Sequence, residues 1–444
     1  MLNQRRADEL FEKVLKYSAA GETEALITST AYSLTRFANN TIHQNMTEQG
    51  TMLSVRAVSD HRTARASTDR LDDDSIRRVC ESALELARTQ PPDPGLLPMP
   101  GPQTYQAVSR FHPETINLTP QARAATIAQV IRRAQGDHLT AAGVFAIGGS
   151  VAALYNSLGL RAFHEETTSE FSVTMLGPNS SGWAKRTDPR SGALDPASLA
   201  DRAARKALQS HDPSEIEPDK YTVILEPAAV LDLLGFLVLD FSGLAVAEQR
   251  SCFTGRVGQK LFGSNITIHD DVFHHAQTGA PFDGEGAPRR PVSLVEGGVV
   301  KNLVYARATA AKLGKEPTGH GFPLPNEIGE APMNIVVEGG AATTDEMIGS
   351  TERGLLITRL WYIREVDPYQ KIVTGMTRDG TFWIEDGEVR HGVKNFRFNQ
   401  SLIEMLSQVE AMSAPERAAG EESFEMVVPA MKVRDFNFSS TTKF

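Results

Sequence analysis

At 444 residues the chain exceeds what one ordinary hydrophobic core organises, and at roughly 100–200 residues per domain it should form two or three. Its 55 acidic and 45 basic residues leave a formal charge of −10, which opposes the basic stripe that a phosphate backbone requires and argues against direct nucleic-acid binding. The composition, 41% hydrophobic and 23% charged, is globular, and two distant cysteines, Cys80 and Cys252, supply neither a disulfide framework nor a thiolate cluster, so a reducing cytoplasm is expected.

Met1 to Ala19 reads as a charged amphipathic helix carrying Leu10, Phe11, Val14, Leu15 and Tyr17, without the continuous apolar core of a signal peptide. Strand-like stretches follow at 25–28, 33–37, 51–59 and 61–67, with a turn at Asn39-Asn40. A helix is predicted from Asp72–Asp74 onward, with Ile76, Val79, Cys80, Ala83, Leu84 and Ala87 at helical spacing. Pro91, Pro92, Pro94, Pro98, Pro100 and Pro102 then make an extended connector. Beyond it, 150–155, a turn at 156–159, then 160–167, 170–176 and 182–185 give strands in the same order. Leu194-Asp195-Pro196 opens the next helix as Leu71-Asp72 opens the earlier one, the aspartate capping and the proline taking the first helical position. The pattern predicts a divergent internal repeat within one N-terminal α/β domain, residues 1–215.

Residues 216–444 differ in texture, with short strands, many Gly turns and one long apolar segment. That segment, Pro227 to Ala247, carries Asp232, Asp240, Ser242 and two glycines, which suits a buried helix and not a membrane span. Turn signals at Glu296-Gly297-Gly298, Asp379-Gly380 and Asp386-Gly387 are flanked by β-formers and predict hairpins of a mostly antiparallel sheet or partly closed barrel. The fold class is therefore α+β, in two domains.

Several segments of the second half resemble the TldD/PmbA family in order and spacing. They are Ser251-Cys252-Phe253-Thr254-Gly255-Arg256-Val257-Gly258, Ile266-Thr267-Ile268-His269-Asp270-Asp271, Phe282-Asp283-Gly284-Glu285-Gly286 and Leu294-Val295-Glu296-Gly297-Gly298. The late hairpin, 375–388, and the closing strand Val428-Pro429-Ala430-Met431-Lys432-Val433 are similar too, as are the N-terminal helix, 33–45 and 63–69. The resemblance implies a two-domain α/β architecture whose second domain is a curved antiparallel sheet. It also implies a link to peptide hydrolysis, because the family's TldD branch carries a His-Glu-x-x-x-His helix that binds a metal. A TldE or PmbA branch lacks that helix, and the two resemble halves of one heterodimeric protease for unfolded or small peptides. Aligned without gaps, this chain has Leu234, Gly235 and Leu239 where the helix needs His, Glu and His, and no histidine lies between His211 and His269. None of the three can coordinate an ion. The expectation is a TldE/PmbA-like chain with no cofactor, not catalytic alone. It would be a homodimer or the partner of a TldD-like metallopeptidase, and the alternative is a stand-alone peptide-binding or scaffold protein.

Other constellations carry less. His269, His274 and His275 beside Asp270 and Asp271 offer nitrogen and oxygen ligands, but the cluster reads as a strand end followed by a solvated turn. His164-Glu165-Glu166 lacks a second histidine, no Gly-x-Ser-x-Gly elbow occurs, and Cys252 beside Phe253 reads as a buried structural thiol. Arg359, Arg364 and Arg378 interleave with Trp361 and Tyr362, where strands would present alternate residues to one face. These five are the candidate peptide-binding residues, a carboxylate clamp weighed against ion pairs of the arginines with Glu365, Asp367 and Asp379.

Overall fold

The computed structural model describes residues 1–442. α1 (Gln4–Tyr17) starts where the Asn3 side chain accepts from the Arg6 N–H, and it buries Ala7, Leu10, Phe11 and Val14 along one stripe. β1 (Glu22–Ala38) and β2 (Thr41–Ser59) are single long strands, so the shorter stretches expected there are parts of them; Asn39 and Asn40, both at positive φ, make the turn. β3 (Arg62–Thr68) leads to α2 (Asp73–Thr89), which buries the predicted Ile76, Val79, Cys80, Ala83, Leu84 and Ala87. Past the connector come α3 (Pro113–Ile116) and α4 (Pro120–Gly136), which the strand-centred reading of this stretch did not anticipate. The start of α4 was nonetheless written in the chain, since Thr119 accepts from the Ala122 N–H and Pro120 takes the first turn. β4 (Thr140–Asn156), β5 (Arg161–Leu176), β6 (Ser181–Asp188) and α5 (Pro196–Gln209) complete this half, with Asp195 capping as predicted.

The six strands form one antiparallel sheet in the order β3-β2-β1-β4-β5-β6, with β1 and β4 paired from Glu24–Asn156 to Phe37–Gly143. The order is symmetric about that seam, as two copies of a β-β-β-α unit would make it. Because successive side chains alternate, Ala25, Ile27 and Phe37 share a face with Ala141, Phe145, Ala153 and Tyr155, and the helices cover that face. The opposite face meets the second half, where Leu154 and Ala162 pack on Phe282. There the buried Glu24 accepts from Arg56 and Arg65, and Arg65 Nε also reaches the Leu324 carbonyl at 2.7 Å.

The second half begins with β7 (Lys220–Leu225) and α6 (Pro227–Leu234). The single apolar helix expected from Pro227 to Ala247 is in fact broken: the backbone tightens into a 3₁₀ segment at Gly235–Phe241 and restarts as α7 (Gly243–Ala247). Two glycines and the Ser242 cap explain the break. β8 (Ile268–Asp270), β9 (Val292–Glu296) and β10 (Val299–Val300) precede α8 (Arg307–Leu313), β11 (Ile335–Val337) and α9 (Thr344–Gly349). The long hairpin β12 (Arg353–Asp367) and β13 (Ile372–Glu385) follows, then β14 (Glu388–Gly392), β15 (Phe396–Ser401) and α10 (Leu402–Ser407). β16 (Val409–Met412), β17 (Glu416–Ala418), β18 (Met426–Val428) and β19 (Met431–Thr441) finish the chain.

Strands β12, β7, β19, β15 and β13 pair in that order, and β13 pairs back onto β12, so five strands close into a barrel. A second sheet, β10-β9-β8-β11-β18-β17, shares its core. Pairing is mostly antiparallel, the exceptions being β7 with β12 and β11 with β18. Of the predicted hairpin turns, Gly297-Gly298 and Asp386-Gly387 form, but Asp379-Gly380 lies inside β13 as a positive-φ irregularity, not a turn. Among the described residues no helix is long and apolar enough to cross a membrane.

Phe398 is wholly buried in the barrel core with its ring 5.5 Å from Phe436. Phe398→Ala should cost about 3–5 kcal/mol in urea unfolding of this half, whereas Leu313→Ala, at a partly exposed helix end, should change stability by less than about 0.5 kcal/mol.

Candidate functional site

A cleft of about 810 Å³ opens beside the 3₁₀ segment and is lined by Phe236, Leu239, Asp240, Glu327, Ile328 and Lys371 among others. A neighbouring recess of about 570 Å³ shares Gly235 and Leu239 with it and is walled by Phe322, Met333 and Phe424. Local sequence dictates this shape. A Cβ at Gly235 would lie 2.3 Å from Ser423 Oγ, and one at Gly420 would lie 2.1 Å from Asp232 Oδ1, so both chains approach as closely as glycine permits. Asp232, in the last turns of α6, accepts from the backbone N–H groups of Glu422 at 3.0 Å and Glu421 at 3.5 Å, which ties residues 420–424 over the recess. Burial pushes its carboxyl up to about 7, against the pull of those two N–H groups.

Asp240, at the other end of the segment, accepts from the Cys252 N–H at 2.7 Å and pairs with Lys371 Nζ at 2.6 Å. Lys371 also holds Glu365 at 2.6 Å. Burial alone would lower this lysine, but its two carboxylates outweigh that and keep it above the usual range. At the mouth stand the exposed Leu239 (56%) and Ile328 (53%), and the Glu248–Arg250 pair. Leu239, inside the segment expected to form a buried helix, instead faces the cleft, because that segment tightens into a 3₁₀ turn there. Cys252 is buried, and burial and Asp240 push its thiol up, which leaves no thiolate nucleophile.

Leu234 and Gly235 of the family's metal-helix position lie at this segment with Leu239. The two nearby carboxylates, Asp232 and Asp240, are already committed to backbone N–H groups and to Lys371. The donor set does not fit a catalytic metal, and among the described residues no three His, Cys, Asp or Glu side chains gather to hold one. The weak histidine candidates stay apart. His269 meets Glu338 at 2.9 Å, while the His274 and His275 rings lie 4.3 Å from each other. Asp270 turns inward to His320 at 2.8 Å, and Asp271 accepts from the Phe273 N–H.

The five predicted peptide-binding residues fall into two groups. Arg359 and Arg378 face each other across β12 and β13, with the Trp361 ring 5.8 Å from one guanidinium and 4.8 Å from the other. Arg359 is buried, paired with Asp379 and stacked 5.0 Å over Trp183 of β6, so it serves the junction between the halves and is closed to a ligand carboxylate. Tyr362, at positive φ in an irregular stretch of β12, turns outward under the Arg364 guanidinium at 4.2 Å. Arg364 pairs with Glu422 at 3.5 Å, and neither Glu365 nor Asp367 engages it as expected, since Glu365 holds Lys371 and Asp367 accepts from the Tyr369 and Gln370 N–H groups. Glu422 lines the recess, which places Tyr362 and Arg364 at its edge. Asp232, Asp240 and Lys371 were not read as site residues, although two carboxylates inside an apolar run were the visible signal.

A folded-state carboxyl held near 7 keeps its proton where the unfolded chain, in the ordinary carboxylate range, has lost it. Stability should therefore fall as pH rises from about 4 to about 7. Asp232→Asn, which keeps an acceptor but no charge, should melt near wild type at pH 4 and above it at pH 8. Thermal unfolding at the two pH values checks this, and an equal gap at both would refute it.

Comparisons with known proteins agree with this fold. Family models match in three segments: PmbA/TldA metallopeptidase domain 1 over residues 23–87, the central domain over 115–210 and the C-terminal domain over 218–440. The crystal structure of TldE from Thermococcus kodakarensis superposes with a TM-score of 0.88 at 22% identity, covering 98% of this chain and 99% of that one, which shows the fold. The metalloprotease PmbA of Escherichia coli is 22% identical over 405 residues, 86% of this chain and 85% of that protein. An uncharacterized protein of Methanocaldococcus jannaschii is 26% identical over 272 residues, spanning 60% of this chain and 63% of its own length. With family models covering both the six-stranded sheet and the barrel half, the chain belongs to the PmbA/TldD metallopeptidase-like family.

Proposed function

We propose that this chain is a TldE/PmbA-like, non-metal subunit or homologue of a TldD/TldE-type metallopeptidase. It would work in the cytoplasm, helping to bind and enclose unfolded or small peptides, as a homodimer or beside a TldD-like chain. One observation carries the reading: the metal-helix position holds Leu234, Gly235 and Leu239 at a large open cleft whose nearby carboxylates are already engaged. A cleft with apolar side chains at its mouth suits the side chains of an extended peptide, and backbone pairing at a sheet edge would bind such a peptide with little sequence preference. Large exposed apolar side chains at or beside the cleft, Leu239, Ile328, Val366 and Tyr369, support a surface that meets another molecule.

Metal analysis of the purified chain should find no stoichiometric zinc, and the chain alone should show no chelator-sensitive peptide hydrolysis. Near-unit zinc, or cleavage abolished by chelator, would overturn the reading. Hydrolysis that appears only when a TldD-like chain is added supports the subunit role, and a lone homodimer that binds peptide without any such effect supports the scaffold alternative.

Peptide contact at the recess is testable separately. Arg364→Ala should weaken binding of an unfolded peptide about fivefold, roughly 1 kcal/mol, with little change in melting temperature. Arg359→Ala should instead lower stability by about 3 kcal/mol, because it removes the bonded partner of the buried Asp379 and leaves only Arg378 at 3.6 Å. Fluorescence anisotropy at matched fraction folded separates the two, and unchanged affinity in Arg364→Ala removes this residue from the site.

A further inference from the structure

A second cavity, about 450 Å³, lies between the proline-rich connector and α8 and shares no lining residue with the large cleft. Its walls are apolar, from Pro94, Leu97, Leu244, Ala306 and Leu324, and Glu285 stands among them. This glutamate belongs to the Phe282-Asp283-Gly284-Glu285-Gly286 motif, to which the peptide reading assigns no role. Its residue is only 3% exposed. Oε2 accepts from the Arg307 N–H at 2.9 Å, but Oε1 accepts from no protein donor and is not sealed from solvent.

The loop around it is built to hold the carboxyl there. Asp283 accepts from the N–H groups of Glu285, Ala287 and Gly321, which fixes the motif's turn. A Cβ at Gly321 would sit 2.9 Å from Glu285 Oε2, so glycine is what lets the carboxylate lie against that strand of chain. A buried carboxylate with one free oxygen and no cation bonded to it is costly unless a partner arrives. The charges that reach it are Asp283, which opposes ionisation, and Arg307 and Arg56, which favour it. Neither arginine side chain bonds to it: the Arg307 guanidinium goes to the Pro98 carbonyl and Arg56 to Glu24. Asp93 and Lys312 stand on the rim. Burial, then Asp283, pushes the Glu285 carboxyl up to about 7.

We propose that this cavity binds a primary ammonium group on a short apolar stem, with Glu285 Oε1 accepting its hydrogen bond and the walls of the connector and α8 enclosing the stem. A carboxylate repels anions, and a neutral hydroxyl could bond Oε1 without balancing its charge, so a cation is the ligand that satisfies the site. The volume lies within the range of ligand cavities and readily admits a stem of a few carbons. A free alkylamine and a lysine side chain share this chemistry.

The test uses the full chain and calorimetric titration at pH 8 with n-butylamine, n-butanol and butyrate. Butylamine should bind at least tenfold tighter than butanol, and butyrate should not bind. Affinity for butylamine should fall about tenfold from pH 8 to pH 6, as Glu285 takes up the proton, and be flat across that range in Glu285→Gln. Glu285→Gln should lose at least tenfold at pH 8. If that variant does not fold, Ala308→Phe, which fills the cavity from the exposed side of α8, decides the matter: binding that survives it overturns the proposal. Butylamine binding no tighter than butanol, or unaffected by Glu285→Gln, also overturns it. Titration with Nα-acetyl-lysinamide separates the sources, since binding equal to butylamine assigns the cavity to lysine side chains and butylamine binding alone assigns it to free amines.

Discussion

Closure of the barrel by β12 pairing with β13 is the constraint on which the candidate site rests. The pairing runs from Arg353–Glu385 to Asp367–Ile372, so the hairpin's tip lies at a fixed distance from the end of β7, which pairs with β12 through Gly354–Ile357. β7 runs directly into α6, and α6 into the 3₁₀ segment. The tip therefore carries Glu365 and Lys371 back to Asp240 at the segment's far end. A buried lysine between two carboxylates gives little net stability, because desolvation offsets much of the attraction, but its geometry is demanding. Its effect is to pin one wall of the cleft to the barrel, while Asp232 pins residues 421 and 422 over the neighbouring recess.

The two halves meet through a seam of cationic side chains that donate largely to backbone carbonyls. Arg65 reaches Leu324, Arg110 reaches Val272 and Gly279, Lys185 reaches Gly420, and Arg307 reaches back to Pro98. Lys206 adds a pair with Glu226 at 2.6 Å, and Arg359 stacks on Trp183. Carbonyl acceptors carry no net charge, so most of these contacts depend on direction and not on long-range attraction, and salt screens them little. Such a seam specifies one docking geometry without the large apolar interface that the helices on the sheet's other face already occupy.

Legibility followed the range of the interaction. α2 was readable to the residue because Ile76, Val79, Cys80, Ala83, Leu84 and Ala87 encode their burial by local spacing, and Asp195-Pro196 announced α5 by cap chemistry alone. The symmetric sheet was readable as a repeat of texture. What failed involved long-range partners. Leu239 looked like core because the period of an α-helix was assumed across Gly235, and Asp379-Gly380 looked like a hairpin turn although its strand continues through it. Arg364 was matched with its neighbours in sequence, whereas its partner Glu422 lies 58 residues away. Asp232 and Asp240 were noted only as arguments against a membrane span, since nothing local names Lys371 or the 421–422 backbone as their partners.

The fate of the metal-helix position then has a physical account. Two histidine ligands and a glutamate base need a backbone that brings their side chains together and an open coordination position. Here Gly235 begins a 3₁₀ turn, with Leu234 before it buried and Leu239 within it exposed to solvent. Restoring histidines at 234 and 239 without undoing that turn would leave their rings on different sides of the segment. The departure from a metal site is thus built into the backbone as well as into the side chains, and the buried contacts of Asp232, Gly235 and Asp240 are what hold that backbone in place.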